Sequence, residues 1–213
     1  MTFTRKVVLI LIRLLCKVFL SWEVSGEEKV PVTGPLVLVS NHVHVMDTIL
    51  LPVSFPRWIN FMAKQELFGK SLLGFLLRWA GAFPILRQGV VGDKRDTMRQ
   101  AMAILERGEV LGMFPEGKRN SDGVLGRGKG GPVVIALNAG VPLISVAISG
   151  TENLKGMSWL WKRPRIIISI GETFTLPAVQ GRLKKTAMKS STYLMMKKIA
   201  AMLPEGKQGI YGD

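Results

Sequence analysis

Histidine and cysteine are scarce in this chain: there are two of the first and one of the second. The single cysteine, Cys16, rules out an internal disulfide and fits a reducing compartment. Three such residues also exclude large metal clusters built from Cys and His. Acids are few as well. Fifteen Asp and Glu stand against 29 Lys and Arg, leaving a net charge of +14. The shortage is local. Residues 1–22 carry four basic residues and no acid, and residues 162–198 carry nine against Glu172 alone, so these two segments hold twelve of the fourteen charges. A nucleic-acid-binding element usually interleaves aromatic residues with its cations. The basic N-terminal segment is aliphatic instead, which points to an anionic membrane surface and away from nucleic acid.

Long apolar runs are missing too. In TRKVVLILIRLLCKVFLSW (4–22) the longest is Val7 to Ile12, cut off by Arg13 and then Lys17. Crossing a bilayer takes about 20 apolar residues, and no small-residue cleavage site follows to suggest a signal peptide. On a helical wheel Lys6, Arg13 and Lys17 fall within about 40° of one another, with Arg5 at the margin and Leu9, Leu11, Leu15 and Phe19 elsewhere. The expectation is an amphipathic helix over 1–22 lying in a membrane interface. The alternative is a core helix that snorkels its cations.

Residues 23–213 are enough for one domain with a proper core. A polar loop covers 27–34. Short apolar runs predict strands at PLVLVS (35–40), RWINFMA (57–63), GAFPILR (81–87), EVLGMF (109–114), PLISVAIS (142–149) and PRIIISIG (164–171). Helical patterns fall at 71–80, 93–107, 130–139 and 182–203. This alternation predicts an α/β fold with a mostly parallel central sheet flanked by helices.

The chemically capable residues sit where strands end. His42 and Asp47 follow the first run, Lys64 and Glu66 the second, Arg87 the third, and Glu116, Lys118 and Arg119 the fourth. Open α/β sheets bind ligands at the carboxyl ends of their strands. A cleft lined with cations suits an anionic substrate, most simply a phosphate.

Both histidines lie in SNHVHVMD (40–47). A two-metal site built on such a pair needs further histidines, and there are none. GVLGRGKG (123–130) matches G-x-x-x-x-G-K and then fails, because Gly130 stands where Ser or Thr must bind magnesium and no strand immediately precedes it. It reads better as a flexible, glycine-rich loop carrying cations. No G-x-S-x-G elbow is present. General-base catalysis remains, with a substrate hydroxyl as the nucleophile. His42 has Asp47 five residues on, close enough to orient its ring. Asp47 has the second possible role of capping the helix that follows.

Asn41-His42 with Asp47 resembles the NHx4D motif of the glycerolipid acyltransferase family, above all its bacterial 1-acylglycerol-3-phosphate acyltransferases. GAFPILR, FPEGKRN (114–120) and VPLISVAISG (141–150) are similar to the family's second, third and fourth blocks, and LPEGKQGIYG to its usual ending. The resemblance implies transfer of an acyl group from acyl-CoA or acyl-carrier protein to the sn-2 hydroxyl of lysophosphatidic acid, with no metal or cofactor. It implies His42 as base and Asp47 as its orienting acid, with Asn41, Arg87, Glu116, Gly117, Arg119 and Pro142 at the substrate site. Pro142 matches a residue linked to the acyl pocket. The implied location is the cytoplasmic face of a bacterial inner membrane. Three residues depart from the pattern: His44 replaces a small polar residue, Lys118 the usual Thr and Asn120 the usual Ser. His44 and Lys118 either add cationic character near the phosphate or simply face solvent.

Overall fold

Every residue of Leu36–Ser40 is buried, and the run splits its side chains between two cores. Leu36 and Leu38 enter one, Val37 and Val39 the other. Strand side chains alternate between faces, so a run that is apolar on both faces belongs in a sheet covered on both sides. The computed structural model describes residues 3–64, 83–85, 93–154, 156, 159–177 and 184–212.

Among the described residues seven strands form one sheet: β1 (Ser21–Ser25), β2 (Leu36–Ser40), β3 (Ile59–Lys64), β4 (Phe83–Ile85), β5 (Val110–Met113), β6 (Leu143–Ser149) and β7 (Arg165–Phe174). Their order is β1-β7-β6-β2-β5-β3-β4. Every neighbouring pair is parallel except β6 with β7. The five strands from β6 to β4 therefore end on one edge of the sheet, as expected from the grouping of capable residues.

The described helices are α1 (Phe3–Phe19), α2 (Asp47–Ser54), α3 (Asp93–Glu106), α4 (Gly131–Ala139), a single turn α5 (Trp159–Lys162) and α6 (Lys185–Ala200). Ala101, Ile104 and Leu105 of α3, Val133 and Ala136 of α4, and Met195, Met196 and Ile199 of α6 cover one sheet face. Cys16 of α1 and Leu50 and Leu51 of α2 cover the other. Gly140, with φ +63°, stops α4 in the left-handed conformation open to glycine.

Two expectations change at the amino end. The helix stops at Phe19, so a boundary at residue 22 falls inside β1, which was not anticipated. β1 adds to β7 as an edge strand, and its SWEVS sequence buries little. Of the predicted basic stripe, Lys17 is exposed and Arg13 turns toward the domain. The packed face of α1 holds Cys16 and Ile12. Arg13 folds back onto the domain, 3.6 Å from Glu27 and over the Trp22 ring. Ile10, Leu11, Leu14 and Val18, each more than half exposed, form the outward face together with Val7. No helix among the described residues is long and apolar enough to cross a membrane. The helix expected at 71–80 lies outside the described residues, as does most of 81–87 apart from β4.

Candidate active site

β2 sits where the strand order turns: the chain passes to β3 and β4 on one side of it, returns to β5, then crosses to β6 on the other. A crevice at the carboxyl end of such a strand is the usual ligand site of an open α/β sheet. Asn41 and His42 follow directly on β2.

Asn41 is 1% exposed. Its Nδ2 donates to the Ile148 carbonyl and its Oδ1 accepts the Ile148 N–H, both at 2.8 Å. The amide is thus spent tying β2 to β6.

His42 is held from several directions. Its Nδ1 lies 3.0 Å from Asp47 Oδ2. Its main-chain N–H donates to Glu116 Oε1 at 2.8 Å, and its carbonyl accepts the Asn120 N–H at 2.8 Å. Its ring stacks on Phe114, with centroids 4.1 Å apart and planes 17° from parallel, and Phe61 stacks behind Phe114. The imidazole keeps 15% exposure, whereas the Asp47 side chain has none.

Asp47 is the first residue of α2, but it does not cap that helix with its side chain. Its Oδ2 accepts backward, from the N–H groups of Val43 at 2.7 Å and His44 at 2.8 Å as well as from His42. The 42–47 turn is wrapped around this one oxygen. Of the two roles open to Asp47, orienting His42 is the one the geometry displays. An aspartate on Nδ1 favours the tautomer that leaves Nε2 unprotonated and able to accept a proton.

Glu116 is buried, and both of its carboxylate oxygens accept hydrogen bonds. Besides the His42 N–H, it accepts the Gly126 N–H at 2.8 Å and the Asn120 side-chain amide. Burial pushes its carboxyl above the ordinary value, and these donors pull it back. These bonds make Glu116 the organiser of the loop around His42. Pro142 precedes β6, and its carbonyl accepts the Val37 N–H at the amino end of β2. His42 is five residues further along, about 17 Å at the rise of a strand. Pro142 therefore starts a strand at the opposite edge from His42.

Gly117, Lys118 and Arg119 are exposed on the turn after β5. His44 accepts the Met46 N–H on Nδ1 at 3.3 Å. Burial lowers its pKa first, and Arg119 and His42 lower it further against the pull of Asp47. The net shift favours the uncharged ring. Lys64 closes β3 on the same sheet edge. Arg87 and Glu66 lie outside the described residues. Cys16 is buried in α1, and burial pushes its thiol up, away from nucleophilic use. No group of three or more metal-binding side chains occurs among the described residues.

GVLGRGKG, expected to be a flexible loop, is instead a packed strap. A Cβ on Gly126 would lie 2.3 Å from Asn120 Nδ2 and 2.8 Å from Glu116 Oε2, so only glycine lets the strap approach the carboxylate. Gly128 donates to Tyr211 and Lys129 to the Pro115 carbonyl. The partners Phe114, Asn120 and Lys129 were not anticipated. Their sequence signal was their place in FPEGKRN, for Phe114 and Asn120, and in GVLGRGKG, for Lys129.

Comparisons with known proteins agree with the geometry. Residues 21–149 match the Acyltransferase family model. The chain is 32% identical over 151 residues to the 1-acyl-sn-glycerol-3-phosphate acyltransferase of Bacillus subtilis, covering 70% of this chain and 72% of that one. It is 31% identical over 140 residues to a chloroplastic enzyme of the same name from Brassica napus, but spans only 39% of its length. The crystal structure of the 1-acyl-sn-glycerophosphate acyltransferase of Thermotoga maritima superposes with a TM-score of 0.66 at 24% identity, over 93% of this chain and 81% of that one. The family match covers more than half of the chain and includes the His42–Asp47 turn, the Glu116 loop and the strands that carry them, and on that ground the chain belongs to the acyltransferase family.

Proposed function

We propose that the protein transfers a fatty acyl group from a thioester, acyl-CoA or acyl-carrier protein, to the sn-2 hydroxyl of 1-acylglycerol-3-phosphate, giving phosphatidic acid. The observation that carries this reading is the His42–Asp47 pair at the carboxyl end of a parallel strand, with exposed cations on the adjoining turn. The names of the relatives from Bacillus and Brassica support it.

His42 Nδ1–H donates to Asp47 Oδ2, leaving Nε2 as the base. The acceptor hydroxyl gives its proton to Nε2 as its oxygen attacks the thioester carbonyl. Asp47 stabilises the imidazolium. The tetrahedral intermediate collapses, the C–S bond breaks, and Nε2 returns the proton to the leaving thiolate. Arg119, on the turn beside His42, holds the acceptor phosphate. The outward apolar face of α1 rests in the lipid interface, where both the acceptor and the product reside.

The test is purified protein with a panel of lysolipid acceptors, reading thiol released from acyl-CoA and acyl-carrier protein. Transfer to lysophosphatidic acid above all other acceptors is expected. Equal or better transfer to a lysolipid without a phosphomonoester would overturn the assignment.

A further inference from the structure

The strap between Gly123 and Gly130 is the one motif that the proposed reaction leaves without a role. It is pinned at both ends. Gly126 donates to Glu116, and Lys129 donates through its main chain to the Pro115 carbonyl at 2.8 Å. These bonds lay the strap along residues 115–117, the stretch that also grips the His42 N–H.

The Lys129 side chain then has a defined course. Gly117 has a φ of +68°, and a Cβ built on it would lie 2.7 Å from Lys129 Nζ, 3.2 Å from Cε and 3.3 Å from Cδ. The end of the lysine therefore runs across the bare glycine turn. Among the described residues no carboxylate pairs with its ammonium. Glu116, which precedes Gly117 on this turn, already accepts three hydrogen bonds and forms no ion pair with Lys129. Lys118 and Arg119 are exposed on the same turn. Three cations thus share one turn, one residue away from the carboxylate that positions the base, and no described acid neutralises Lys129.

We propose that Lys129 binds a phosphate group at the acyl-transfer site, together with Arg119. This rests on the acyltransferase reading above and adds a residue to it. A guanidinium suits the fork of two phosphate oxygens, and an ammonium serves as a compact point charge beside it. The lysine stem is already laid over Gly117, so less side-chain freedom is lost when the anion arrives. Two phosphates could occupy the site: the phosphomonoester of the acceptor, or a phosphate of a CoA donor.

The experiment compares wild type, Lys129→Met and Lys129→Arg by steady-state kinetics, with lysophosphatidic acid as acceptor and with acyl-CoA and acyl-pantetheine as donors. Lys129→Met is expected to raise KM for lysophosphatidic acid about tenfold while kcat stays within about threefold, and Lys129→Arg to recover most of the loss. A rise confined to KM for acyl-CoA, absent with acyl-pantetheine, keeps the phosphate role and assigns it to the donor. Unchanged KM values would overturn the proposal. So would a joint fall of kcat, both affinities and thermal stability, which marks a purely structural strap. Binding of glycerol 3-phosphate, followed by calorimetry on the same three proteins, is independent of turnover: wild type binds and Lys129→Met does not. A wild type that binds it but transfers no acyl group defeats the acyltransferase reading alone.

Discussion

His42 is fixed through its ring, its N–H and its carbonyl, each by a different partner. The Phe114 stack sets the plane of the imidazole. Phe114→Leu keeps much of the volume and loses the flat support, so kcat should fall about tenfold or more with KM little changed, and Phe114→Tyr should restore most of it. Steady-state kinetics decides, and an equal rise in KM would contradict the positioning role. One buried and one half-buried group tie stability to pH. Glu116 has a raised pKa, so its contribution is fully present below the ordinary value of 4.5 and is lost as pH rises through the folded value. Relative to Glu116→Gln, the wild type should therefore lose stability as pH climbs from about 4.5 toward neutral. His44 has the opposite slope. Its pKa is lowered, so its contribution is present above 6.5 and is lost as pH falls through the folded value. His44→Gln should flatten that acid limb in denaturant unfolding. The turn from His42 to Asp47 was legible because the two lie five residues apart and the contact is local. The structural links made by Asn41 and Glu116 were not legible. Their partners lie 107 and 74 residues away, and no local pattern announces them.

At the scale of elements, Asn41 holds two strands together at the point where the site begins. Asn41→Ala removes two hydrogen bonds and leaves the Ile148 N–H and carbonyl buried without partners. A loss of about 2–4 kcal/mol is expected in chemical denaturation, with activity falling alongside; a change below about 0.5 kcal/mol would show that the link is dispensable. Helix α1 has a different part. Its packed side joins the core through Cys16, and its free side exposes Val7, Ile10, Leu11, Leu14 and Val18, with Lys17 also exposed. Replacing Ile10, Leu14 and Val18 with Ser should leave the fold intact and abolish sedimentation with lipid vesicles. Persistent co-sedimentation would move the lipid contact elsewhere. The wheel made this helix legible as amphipathic, but not which face turns inward. Charge pattern alone pointed the cations at lipid, whereas Arg13 found Glu27 and Trp22. The strap misled for a similar reason. Glycines that look like freedom in a sequence are here clearance for close packing.

Across the whole molecule, the parallel sheet and its flanking helices followed from six apolar runs separated by helical periods. β1 did not, because an edge strand of five residues with little burial leaves almost no hydrophobic signal. The two basic segments of the chain also separate in the fold. Helix α1 packs on one face of the sheet and the lysine-bearing α6 on the other. The site lies at the strand-end edge between these layers, reached by residues from β2, β5 and the strap. That arrangement ties the account to one base. The most direct test measures thiol release from an acyl thioester in the presence of lysophosphatidic acid for wild type, His42→Ala and His44→Ala, with each protein checked for native folding. The account predicts a loss of about 10²–10⁴-fold for His42→Ala and near wild-type turnover for His44→Ala. Comparable losses from both, or full activity without His42, would contradict it.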